Sequence, residues 1–181
     1  IELTSTVDLT VAGTANISSA AGAGGLLSIN ETTVNAGAVI TIGAGDVTLN
    51  GSGQDTVINA TITAATSATF TATRDVIVGA TITTTNADAD IVINANTDDG
   101  TAVGAGGVQI QTDGQLVAGR DVTITGSDLF VTTTAGVLDS IEIQNDSATD
   151  QIIANRHISL TSRVASPVGA DILVLGELLA T

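Results

Sequence analysis

Asp55-Thr56-Val57-Ile58-Asn59-Ala60-Thr61-Ile62-Thr63 returns twenty residues later as Asp75-Val76-Ile77-Val78-Gly79-Ala80-Thr81-Ile82-Thr83. Asp, Ala, Thr, Ile and Thr recur unchanged, five of nine positions, and Val and Ile exchange at two more. A short repeat at a fixed period marks a stacked fold, in which each unit contacts only its neighbours. The pair Ile29-Asn30 and Leu49-Asn50 shows the same spacing. Within each copy, apolar and polar residues alternate, which is the period of a strand with one buried face.

Working outward, the rest of the chain breaks into similar short runs. Val7 to Val11, Leu27 to Asn30, Val39 to Ile42, Val47 to Asn50, Ala68 to Ala72 and Ile91 to Asn94 precede a long turn-like stretch from Asp98 to Gly107. Val108 to Ile110, Val122 to Thr125, Leu129 to Val131, Ile141 to Ile143, Ile158 to Leu160 and Ile172 to Val174 follow it. Gly, Asn, Asp and Ser separate the runs, as turn residues do. No stretch keeps a 3.6-residue period, so essentially no helix is expected. A four-residue strand cannot hold alone, but stacking completes its backbone hydrogen bonds with the coils above and below. The expectation is an all-β parallel solenoid over residues 1–181, with about twenty residues per coil and roughly nine coils. A sandwich is the poorer alternative, because hairpin turns carry no in-register repeat of twenty.

Composition agrees with a thin aliphatic core. The 181 residues include 20 Gly, two Phe, one Pro and one His, with no Cys, Met, Trp or Tyr. Without aromatic bulk, a thick globular interior is hard to fill. The formal net charge is −15, from 19 acids against Arg74, Arg120, Arg156 and Arg163. That balance argues against nucleic acid and anionic membrane surfaces, which require clustered cations. No apolar run approaches the roughly twenty residues of a membrane span, so no membrane insertion is expected. The absence of cysteine excludes disulfides and thiol chemistry. No signal peptide is visible, and both Ile1 and the Leu173-to-Leu179 run read as uncapped strands. The chain therefore reads as a segment of something longer, or a unit that joins end to end.

A second motif overlaps the first. Gly119-Arg120-Asp121-Val122-Thr123-Ile124-Thr125 has partners in Thr73-Arg74-Asp75-Val76-Ile77-Val78 and Asn155-Arg156-His157-Ile158-Ser159-Leu160. Gly45-Asp46-Val47-Thr48-Leu49 is a version without the arginine. This pattern, alternating with Ala-Thr-Ile-Thr, resembles the degenerate repeats of filamentous-haemagglutinin-like exoproteins. The resemblance implies a right-handed parallel β-helix, an extracellular or cell-surface location, and a role as the stiff shaft of a fibre or large adhesin. The partners it implies are further coils of the same chain, other copies joined end to end, and a glycan or surface receptor.

No residue is assigned a catalytic, cofactor-binding or metal role. The Gly-rich turns at 22–25, 43–45 and 104–107 complete no phosphate-binding pattern and precede no helix. Asp88, Asp90, Asp98 and Asp99 offer the oxygen donors that calcium takes. The calcium-binding β-roll pattern is only partly present, at Gly43 to Val47. His157 has no cysteine or patterned carboxylate beside it in sequence, and reads as a turn residue in the place of Asp75 and Asp121. Arg74, Arg120 and Arg156 share a repeat position, which predicts one edge where they pair with acids. Pectin-degrading β-helices need convergent acids, a cation and aromatic platforms, which are not gathered here, so no enzyme is expected. Thr61, Thr63, Thr81 and Thr83 should face outward around inward Ile62 and Ile82. Flat Thr ladders of that kind resemble ice-binding solenoids, a binding-module alternative to the shaft. Asn16, Asn30, Asn50, Asn59 and Asn145 each open an Asn-x-Ser/Thr sequon.

Overall fold

The structure is a computed structural model that describes residues 2–3, 9–11, 16–19, 25–30, 32–34, 39–42, 45–51, 55–72, 75–95, 107–127, 139–144, 151–163 and 171–181. Among them every regular element is a strand, and the strands fall into successive triplets. The first triplet is β1 (Glu2–Leu3), β2 (Leu9–Val11) and β3 (Asn16–Ser19), the second β4 (Gly25–Asn30), β5 (Thr32–Val34) and β6 (Val39–Ile42). The third is β7 (Gly45–Gly51), β8 (Thr56–Ile58) and β9 (Ile62–Ala64), the fourth β10 (Ala68–Ala72), β11 (Val76–Val78) and β12 (Thr81–Thr84). The fifth is β13 (Ile91–Asn94), β14 (Val108–Ile110) and β15 (Gln115–Ala118), the sixth β16 (Asp121–Ser127), β17 (Asp139–Ile143) and β18 (Ile152–Ala154). The seventh is β19 (His157–Arg163), β20 (Asp171–Val174) and β21 (Leu178–Ala180).

Each strand pairs in parallel with the strand three places away, giving three seven-stranded sheets. The first runs β1-β4-β7-β10-β13-β16-β19, the second β2-β5-β8-β11-β14-β17-β20, and the third β3-β6-β9-β12-β15-β18-β21. One triplet is therefore one coil of a parallel β-solenoid, and the coil itself makes the connection that parallel strands otherwise need a helix to make. The repeat that opened the sequence is in register: Val57 pairs with Ile77, Ile58 with Val78, Ile62 with Ile82 and Thr63 with Thr83. Ile29 likewise pairs with Leu49, and Asn30 with Asn50.

Elsewhere the coils are longer than twenty residues. Ile91 pairs with Val122, thirty-one residues on, and Val122 with Ile158, thirty-six on. Among the described residues the strands form seven successive triplets, and the spacing between them is unequal, not a uniform twenty. Extra residues enter between strands, including the stretch before Gly107, while strand pairing carries on above them. Lengthening a connection costs little, since closure entropy grows only with the logarithm of loop length. The expected strand at Leu129 to Val131 and most of the Asp98-to-Gly107 stretch lie outside the described residues.

The core is a stack of aliphatic columns. Val47, Leu49, Phe70, Ile91, Ile93, Val122 and Ile124 from the first sheet meet Ile58, Val76, Val78, Val108, Ile110, Ile141 and Ile143 from the second. Ile40, Ile62, Ile82, Leu116 and Ile152 close the third side, all with no exposed surface. Each such side chain contributes about 1.5–3 kcal/mol by leaving water. Ile62 and Ile82 are inward, and Thr61, Thr63, Thr81 and Thr83 retain solvent contact, as alternation predicts.

Among the described residues the buried polar side chains are Thr56, Asp75, Thr84, Gln109 and Gln151, and alternation alone does not reveal the two inward threonines. Buried Thr56 donates its hydroxyl to the carbonyl of Thr71 at 2.8 Å. Buried Thr84 donates to the carbonyl of Ala89 and accepts the Gly119 N–H at 3.0 Å. Each hydroxyl thereby satisfies backbone at a corner where the ladder turns. Gly119 is there for room: a Cβ at that position would lie 1.8 Å from the carbonyl oxygen of Asn86.

Candidate functional site

The acids gather where one strand ends and the next begins. An aspartate immediately before a strand reaches along the axis and accepts the N–H of its counterpart one coil on. Asp55 Oδ1 accepts Asp75 N–H at 3.1 Å, and Asp75 Oδ1 accepts Gly107 N–H at 2.9 Å. Those residues precede strands of the second sheet. At the first-sheet corner, Asp90 Oδ1 accepts Asp121 N–H and Asp121 Oδ1 accepts His157 N–H, each at 3.2 Å. A short side chain that takes up a corner N–H is what Asx chemistry supplies.

The first-sheet corner adds a second layer. At three coils the residue just before the corner position, Thr66, Arg120 or Arg156, donates from its side chain to the aspartate one coil back. Thr66 Oγ1 donates to Asp46 at 2.5 Å, with Ser67 Oγ donating to the same oxygen at 2.6 Å. Arg120 donates to Asp90 through Nε at 2.8 Å and Nη2 at 2.5 Å. Arg156 grips Asp121 with the same two-pronged geometry, its Nε at 2.9 Å. Planar guanidinium on carboxylate is the strongest ordinary form of this contact. His157 Nδ1 lies 3.3 Å from Asp121 Oδ1, so this carboxylate meets Arg156, His157 and, at 3.8 Å, Arg120.

The carboxyl groups respond accordingly. The Arg156 hydrogen bonds pull Asp121 down to about 2 from the usual 3.8, with burial opposing and His157 adding to the effect. The Arg120 side chain lowers Asp90 in the same way. Asp46 is lowered by the hydroxyls of Ser67 and Thr66.

This corner corrects one sequence expectation. Arg120 and Arg156 do share an edge, and His157 does stand in the register position of Asp121. Asp75, however, precedes β11 of the second sheet, so the Arg74-Asp75 copy of the motif belongs to a different corner. The motif marks a kind of corner, not one column, because the same backbone need recurs wherever a strand begins. Arg74 itself lies outside the described residues.

The other singled-out residues are dispersed. Asp88 is exposed and Asp90 is engaged by Arg120, while Asp98 and Asp99 lie outside the described residues. Among the described residues no three His, Cys, Asp or Glu side chains gather as a metal site. Gly25 and Gly45 open β4 and β7 in register, and Gly107 donates to Asp75. Asn16 opens β3, Asn30 and Asn50 are in-register neighbours in the first sheet, Asn59 follows β8, and Asn145 lies outside the described residues.

The outer faces differ. On the third sheet Thr41, Thr63 and Thr83 share a column that continues as Val117, Ile153 and Leu179, so the Thr ladder there is short. On the second sheet Gln109 donates to Glu142, and Gln111 and Gln144 donate to Gln109 and Glu142, forming a polar patch across two coils. The first sheet carries a longer array. Register places Glu2, Ser28, Thr48, Thr69, Val92, Thr123 and Ser159 in one column. Asn30, Asn50, Thr71, Asn94, Thr125 and Thr161 form the column beside it. Unequal spacing hides this array from the sequence.

No protein-family model matches the chain, and neither a curated protein nor a solved structure matches it.

Proposed function

We propose that this chain is a segment of a right-handed β-helical shaft, belonging to an extracellular fibre or large surface adhesin. The observation that carries the reading is the stacking of three seven-stranded parallel sheets around one unbroken aliphatic core. Such a body resists bending and extension because every coil is hydrogen-bonded to its neighbours along the axis. The corners support the same role, since aspartates and arginines tie consecutive coils together where the backbone turns. Acidity on the corners also keeps a repetitive β-protein soluble.

The proposed partner of the shaft is a further coil, supplied by the same chain or by another copy. Ile172, Val174 and Leu178 in the seventh coil are 40%, 38% and 40% exposed. Their in-register neighbours Ile141, Ile143 and Ile152 one coil below have no exposed surface. A coil stacked on β19, β20 and β21 would cover them and pair their free edges.

Immuno-electron microscopy tests the assignment on cells that produce the protein, with antibodies raised against residues 1–181. Labelled fibres or a labelled surface layer are the expected result. Label confined to the cell interior would overturn the extracellular shaft.

A further inference from the structure

We draw no further inference here: the strongest candidate, the exposed apolar patch of Ile172, Val174, Leu175, Leu178 and Leu179 on the seventh coil, belongs to the end of the shaft already proposed, and nothing in the structure shows what covers it.

Discussion

Phe70 is the largest side chain among the fully buried residues, in a core built otherwise of Ile, Val, Leu and Ala. Its column neighbours are Leu49 and Ile93, one coil to either side. Truncation to alanine leaves a cavity that stacked strands cannot close, because their spacing is fixed by hydrogen bonds. Phe70→Ala is expected to destabilise by about 3–5 kcal/mol, while neighbouring Thr69→Ala, facing outward, should change stability by no more than about 0.5 kcal/mol. Urea unfolding followed by circular dichroism measures both. The two residues are adjacent in sequence, and the strand's alternation turns Thr69 outward and Phe70 inward. Alternation was not enough for Thr56 and Thr84, whose inward hydroxyls answer corner carbonyls and an N–H that only the folded coil brings near.

At the scale of the element, the corner is the unit that repeats. Asp55, Asp75, Asp90 and Asp121 each accept an N–H from the next coil, and at the first-sheet corner an arginine or hydroxyl closes the carboxylate from the side. Asp121 has a folded-state value of about 2, below the ordinary 3.8 that it regains on unfolding. A depressed carboxyl stabilises the fold above its unfolded value, and that contribution is lost as pH falls through the folded one. The melting temperature should therefore hold above about pH 4 and decline between about pH 4 and 2. Arg156→Met, which keeps the apolar stem, should flatten that decline, as read from thermal melts across the acid range. The arginine motif was visible in the sequence, and so was its pairing with acids. Its distribution over two corners was not, since Arg74-Asp75 and Arg120-Asp121 look alike locally.

For the whole molecule, the consequence of stacking is that stability and association share one surface. The apolar columns stay closed from Ile40 to Ile152 and then reach the exposed Ile172, Val174 and Leu178. A lysine at such a position would have to be desolvated under any further coil, at a cost of several kcal/mol per unpaired ion. Val174→Lys and Leu178→Lys should accordingly weaken concentration-dependent axial association in sedimentation velocity, without altering the circular dichroism of the single rod. Unchanged association in both variants would show that copies do not meet through this coil.

Local periodicity determined the solenoid. A nine-residue repeat at twenty residues requires translation along an axis, and strict alternation decides which side chains line it. Composition limited the core to aliphatic columns, because the chain has little else to bury. The tertiary structure alone decided the register beyond residue 85 or so, where coils grow past thirty residues. Strand pairing depends on backbone hydrogen bonds, which ignore how many residues intervene, so equal columns no longer stand at equal spacing in the sequence. That is why the Thr ladder at 61–83 is legible but short, while the longer array from Ser28 to Thr161 emerges only when the coils are stacked.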